Sequence, residues 1–189
     1  MKNIEQRILR DGHIIDNDIL RVDSFLNHQV DVAFLRDFAR AVKSHYGDVR
    51  VDKILTCETS GVAVAFAVAE EYGNIPFVFA KKAVSKTMVG DLFKAEVKSF
   101  TKGVVSEITI SRNYLSKGEN VLIVDDFLAD GNVSIGLLEI CRQAGVNAVG
   151  VAVVIEKAFQ KGHRLLEEAG VDVFAGASIK AFSDNKPIF

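Results

Sequence analysis

Four apolar β-formers, Val121-Leu-Ile-Val124, run into two adjacent acids, Asp125 and Asp126, and a few residues later the chain has the spacing of a helix. The apolar run follows the polar Gly118-Glu119-Asn120 and reads as a strand buried on both faces, as in a parallel sheet. Phe127-Leu128 and the small, polar Ala129-Asp130-Gly131-Asn132 lead to Val133. From there Leu137, Ile140, Cys141 and Ala144 fall on one helical side, with Gly145 placed to cap it. A chain with this feature is committed to an α/β sheet that carries two carboxylates at the carboxyl end of a buried strand. Open α/β sheets bind ligands along that edge, and the free N–H groups of a helix start suit a phosphate.

The rest of the pattern agrees with a single α/β domain, a parallel sheet flanked by helices. Helices are predicted over 3–10, 31–46 and 62–69, the last apolar all round and hence buried, with a short one ending at Ala169. Strands are predicted over 13–16, 52–57, 75–80, 148–155 and 171–175. Residues 17–30 read as irregular yet apolar, either a packed connector or a segment covered by a ligand. Residues 83–103 lack a core pattern, with Ser85-Lys86-Thr87 polar, and 177–189 read as a tail. Val97–Phe100 and Val104–Ile110 alternate around Thr101-Lys102-Gly103, a hairpin signature that makes about 83–110 a candidate mobile lid.

At 189 residues and 49% hydrophobic, the chain has the size and composition for a core without metal or disulfide staples. A net charge of −2 carries no footprint for nucleic acid or an anionic membrane, so a phosphorylated ligand must be neutralised locally. Cys57 and Cys141 sit in apolar contexts and read as core residues; with no apolar run of membrane length and a polar N-terminus, a cytoplasmic location is expected. Familiar ligand motifs fail. There is no G-x-x-x-x-G-K-[ST], no G-x-G-x-x-G after a strand, and no G-x-S-x-G around Ser134. A calcium loop from Asp126 is excluded because Leu128 and Leu137 fall where oxygen ligands belong. No protein metal cage is expected.

The run Val121 to Val133 resembles the phosphoribosyl-pyrophosphate (PRPP) signature of the type I phosphoribosyltransferases. That resemblance implies the family's fold, a parallel sheet flanked by helices with a β-hairpin lid and a small hood from the N- and C-terminal segments, here about 11–30 and 156–189. It implies that Asp125 and Asp126 hold the ribose hydroxyls as the catalytic pair, and that Ala129, Asp130, Gly131, Asn132 and Val133 hold the 5′-phosphate. Glu58-Thr59-Ser60-Gly61, at a second strand–loop–helix junction, resembles the family's pyrophosphate loop, although Ser60 alone reads equally as an N-cap. Lys81 and Lys82 at a strand end read as a solvated charged turn or an anion site. The family places a basic residue there on pyrophosphate, often Arg and sometimes across a dimer, so Lys-Lys leaves a point charge in place of a bidentate contact.

Three segments resemble one branch of that family, the bacterial enzymes acting on xanthine: Leu20-Arg-Val-Asp-Ser-Phe-Leu-Asn-His-Gln29, Phe79-Ala-Lys-Lys82 and Val154-Ile-Glu-Lys-Ala-Phe-Gln160. The match implies that Leu20 and Asn27 lie at the base and Lys157 on its polar edge. An ammonium donates to the oxygens of a 6-oxopurine and meets a like donor on adenine. Phe159 reads as a stacking ring or a core residue, and His28 as a structural loop residue or a general base. The implied substrates are PRPP and xanthine, with Mg²⁺ carried by PRPP, transfer to N9 as the reaction, and a homodimer as the assembly. The alternatives are guanine, hypoxanthine or, less well matched, adenine as the base. A PRPP-sensing repressor of the same fold is disfavoured by the missing basic patch and by the short segment before Asp31.

Overall fold

The computed structural model describes residues 2–82, 90–98 and 105–189. Ser85-Lys86-Thr87, the Thr101-Lys102-Gly103 turn and the corresponding parts of the expected lid lie outside the described residues. Five strands form one parallel sheet: β3 (Lys53–Cys57), β4 (Phe77–Ala80), β7 (Asn120–Leu128), β8 (Asn147–Lys157) and β9 (Val173–Ile179), in the order β4-β3-β7-β8-β9. Successive side chains of a strand point to opposite faces, and the core divides accordingly. Ile54, Leu122, Val124, Ala152 and Val154 join one cluster, under α1 (Lys2–Asp11), α2 (Val32–Tyr46) and α3 (Gly61–Glu71). Leu55, Val121, Ile123, Val151 and Val153 join the other, under α4 (Asn132–Ala144), α5 (Gly162–Glu168) and the hairpin of β5 (Leu92–Lys98) and β6 (Val105–Ser111). Each fully buried Leu, Ile or Val contributes about 1.5–3 kcal/mol, so both faces hold the sheet firmly.

The hairpin starts earlier than its sequence pattern indicated. Phe93, Ala95 and Val97 are buried while Lys94 and Glu96 between them are exposed, and the strand already runs from Leu92. Its inner face lies close on α4: a Cβ at Gly136 would stand 2.6 Å from Val97 Cγ1.

The connector over 17–30 is covered by the domain itself. It forms β2 (Ile19–Arg21), paired with β1 (His13–Ile15), and a π-helical turn over Asp23–Asn27. Val22, Phe25 and Leu26 are fully buried, with Phe25 edge-on to Phe34 of α2. Asp31 caps α2, accepting from Phe34 N–H (3.1 Å) and from Arg7 Nη1 of α1 (2.6 Å). The C-terminal tail is also ordered. β9 runs on to Ile179, and β10 (Ala181–Ser183) pairs with β11 (Lys186–Ile188) across a two-residue Asp184-Asn185 turn with both φ positive, at 50° and 54°. This hairpin meets the β1–β2 hairpin through reciprocal bonds: Asn17 N–H to Asn185 Oδ1 (3.1 Å) and Asn185 N–H to Asn17 Oδ1 (2.7 Å). The two terminal segments thus make one hood.

Candidate active site

The order of the sheet reverses between β3 and β7, since β3 leads outward to β4 while β7 leads the other way to β8. Ligands of open α/β sheets bind at such a switch point, outside the carboxyl ends of the two strands. Two strand–loop–helix turns meet there: β3 to α3 through 58–60, and β7 to α4 through 129–131. Ser60 and Gly131 precede these helices, and neither helix has a side-chain cap. The Ser60 hydroxyl does not act as an N-cap; in the first turn of α3, Val62 N–H donates instead to Thr59 O (3.2 Å).

Asp125 and Asp126 lie inside the extended β7 rather than in the loop beyond it. Asp126 N–H donates to Asp125 Oδ1 (2.9 Å), and Phe127 N–H to Asp126 Oδ1 (3.1 Å). Asp125 is only 8% exposed, and burial, reinforced by the negative charge of Asp126, raises its pKa well above the usual carboxylate range. The positive charge of Lys82 works against that rise. Gly61 and Thr56 close in on the same carboxylate: a Cβ on Gly61 would stand 2.2 Å from Thr56 Oγ1 and 2.8 Å from Asp125 Oδ1. The Thr56 hydroxyl is buried with no hydrogen-bond partner among the described residues. Burial pushes the Cys57 thiol up to about 12, with Asp125 adding to it, so Cys57 is a packing residue here and no nucleophile.

Glu58 joins the β3–α3 turn to the end of β4. Its Oε1 accepts from Lys82 N–H (2.7 Å), and its own N–H donates to Ala80 O (3.0 Å). The Glu58–Thr59 peptide is cis. Lys81 spends its backbone on Thr109 of the hairpin, giving (3.0 Å) and accepting (2.9 Å). On the other side the 129–131 loop rests on α5: Gly162 N–H donates to Ala129 O (2.9 Å), and Gly131, at φ 77°, lies so close that a Cβ would stand 2.8 Å from Gly162 Cα.

Lys157, at the end of β8, reaches the hood. Its Nζ donates to Asp18 O (2.8 Å) and lies 5.5 Å from the centre of the Phe182 ring. Burial lowers its pKa, opposed by Asp18 and by Asp130 of the 129–131 loop. Phe159 is half-exposed and packs edge-on against Phe182 (5.3 Å). The structure therefore gathers Asp125, Asp126, Glu58, Lys82 and the 129–133 loop at one sheet edge, with Lys157 within electrostatic reach of Asp130. Leu20 is 7% exposed and packed into the N-terminal core, and Asn27 is exposed at the end of the π-helical turn. Among the described residues neither bonds to Lys157. Thr56, Gly162 and Phe182 were absent from the sequence-derived site. The first two meet it only through tertiary contacts, and Phe182 was read as part of a tail.

Among the described residues no group of three His, Cys, Asp or Glu is placed to hold a metal ion, and no helix is long and apolar enough to cross a membrane. The model of the phosphoribosyl transferase domain matches residues 23–177. The chain is 47% identical over 186 residues to the xanthine phosphoribosyltransferase of Streptococcus uberis (98% of this chain, 96% of that one) and 46% identical over 184 residues to that of Clostridioides difficile (97% of each). The adenine phosphoribosyltransferase of Saccharomyces cerevisiae superposes with a TM-score of 0.74 at 25% identity, covering 93% of this chain and 99% of that one.

Proposed function

The chain belongs to the phosphoribosyl transferase domain family, and from that premise we propose that it moves the phosphoribosyl group of PRPP to N9 of xanthine, giving xanthosine 5′-monophosphate and pyrophosphate. It is a glycosyltransferase of purine salvage. The purine N9 forms the new bond to C1 of the ribose as the bond from C1 to the pyrophosphate oxygen breaks, and the N9 proton leaves with solvent or before the base binds. Asp125 and Asp126 bind the ribose hydroxyls, and their negative charge favours the oxocarbenium-like character at C1. The amides of Ala129 to Val133 take the 5′-phosphate, while Thr59, Ser60, Lys81 and Lys82 face the pyrophosphate, with Glu58 bracing that side. Orientation of two bound substrates lowers the barrier by about 7–11 kcal/mol without a covalent intermediate.

The like-charged Asp125–Asp126 pair beside an unpartnered Thr56 hydroxyl fits a cation whose remaining ligands come from the substrate. Mg²⁺ bound through the PRPP diphosphate would neutralise the leaving group. The reading includes a homodimer, in which Lys81 contacts pyrophosphate within one subunit or across to the other, and a cytoplasmic location.

What carries the choice of base is Lys157, a half-buried ammonium held at Asp18 O between the hood and the phosphate-side loop. There it meets the oxygens of a 6-oxopurine as a donor. Turnover of xanthine, guanine, hypoxanthine and adenine with PRPP and Mg²⁺, followed by pyrophosphate release, tests the reading. Xanthine is expected to lead and adenine to fail. Equal use of adenine, or binding of PRPP with operator DNA and no pyrophosphate release, would reject it. Lys157→Ala is expected to raise KM for xanthine about 10–100-fold, the loss of a hydrogen bond to a charged group, with KM for PRPP little changed. Equal rises in both would remove Lys157 from the base.

A further inference from the structure

The carboxylate next to Lys157 has no part in the reaction as described, yet it is more deeply buried. Glu156 is 3% exposed and sits opposite Ser178 across the β8–β9 pair. Its Oε2 accepts from Ser178 Oγ (2.7 Å), and its Oε1 lies 2.5 Å from His163 Nδ1. A carboxylate only accepts, so that ring nitrogen carries the proton. The far nitrogen, Nε2, faces Glu167 Oε1 at 3.3 Å. His163 stands in the first turn of α5, directly after Gly162, whose N–H and Cα support Ala129 and Gly131. An unbroken line of contacts therefore runs from Glu156, the residue beside Lys157, through His163 and Gly162, to the 129–131 loop.

We propose that Glu156 and His163 are positioning residues that fix the phosphate-side loop relative to Lys157, so that sugar phosphate and base are held at one separation. The inference rests on the reading of 129–133 as the 5′-phosphate loop. A buried carboxylate is costly unless its oxygens are satisfied. Ser178 and His163 satisfy both here, which makes the start of α5 a fixed point. Lys157 is held separately, by Asp18 and Phe182, so loosening His163 displaces the phosphate loop and leaves the base contact in place.

Calorimetric binding of ribose 5-phosphate and the KM values of both substrates, compared for the parent, His163→Ala and His163→Asn, test this. His163→Ala is expected to weaken ribose 5-phosphate binding and raise KM for PRPP about 10-fold while KM for xanthine stays within about 2-fold, as for the loss of one charge-assisted hydrogen bond. His163→Asn, which presents an amide N–H near the position of Nδ1–H, is expected to recover most of that loss. Parent values in both variants, a joint rise in both KM values, or an Asn variant as impaired as Ala would each overturn the inference. If His163→Ala does not fold, Ser178→Ala releases the carboxylate from its other side and is held to the same split. A parent that binds no ribose 5-phosphate refutes the phosphate-loop reading. A parent that binds it while the variants match refutes the positioning role alone.

Discussion

Asparagine at both Asp125 and Asp126 is expected to lower turnover by on the order of 10³-fold, the scale seen when a preorganised electrostatic contact is removed, and to leave the fold at least as stable near neutral pH. The first half follows from the carboxylates' position at the switch point, beside two helix starts that have no side-chain cap. The second follows from linkage. Asp125 is buried beside Asp126, and its pKa in the folded protein is raised above that of an unfolded chain. The folded state therefore keeps this proton to higher pH, and its stability falls as pH rises from the ordinary carboxylate range through the raised value. Asparagine removes that fall, while its side-chain oxygen still accepts from Asp126 N–H. Thermal unfolding against pH should show the parent losing stability relative to Asp125→Asn as the carboxyl ionises, with a dead but well-folded double variant at neutrality. Persistent turnover would remove the pair from the ribose, and a collapse of the fold would contradict the electrostatic cost assigned to Asp125.

Gly162→Ala is expected to disturb the fold and the 129–131 loop together. The added Cβ would stand 2.3 Å from Ala129 O and 2.8 Å from Gly131 N, both backbone atoms, so no flexible side chain can swing aside. The hydrogen bond from Gly162 N–H to Ala129 O is lost or lengthened as the loop moves away. Overpacking of this kind costs about 1–3 kcal/mol of stability. Because the displaced atoms belong to the loop proposed to hold the 5′-phosphate, KM for PRPP should rise about 2–10-fold if about half of that cost falls on ligand binding, with KM for the base changing less. Chemical denaturation paired with steady-state kinetics checks both. An Ala variant with parent KM for PRPP would mean that the loop takes no part in binding.

The centre of the fold was legible because its signals are local. Val121 to Val124 is an uninterrupted apolar run, the paired acids follow at once, and Gly131 and Gly145 bracket a helix whose apolar side repeats cleanly. Other parts were hidden by composition. β9 contains Ala175, Gly176, Ala177 and Ser178, small residues that dilute a strand signal, yet Gly176 is small because Ile4, Phe38 and Val154 O crowd it. Asp184-Asn185 is the sort of pair that adopts positive φ in a two-residue hairpin, although the strands that flank it are only three residues each. In the site the same division holds. Asp125, Asp126 and the 129–133 loop are contiguous, so their meeting at one strand end is a local feature of the chain. The Thr56 hydroxyl, the Gly162 support and the Glu156–His163–Ser178 group arise only when distant strands and helices meet. Leu20 lies in the segment that reads as either a packed connector or one covered by a ligand, and the fold packs it into the core it shares with α1 and α2.

The most direct measurement is an experimental structure with ribose 5-phosphate bound. The 2′ and 3′ hydroxyls are expected within hydrogen-bond distance of Asp125 and Asp126, with the phosphoryl oxygens on the backbone N–H groups between Ala129 and Val133. A sugar phosphate seated elsewhere, with these acids and amides untouched, would contradict the assignment of the switch point as the place where the sugar is held.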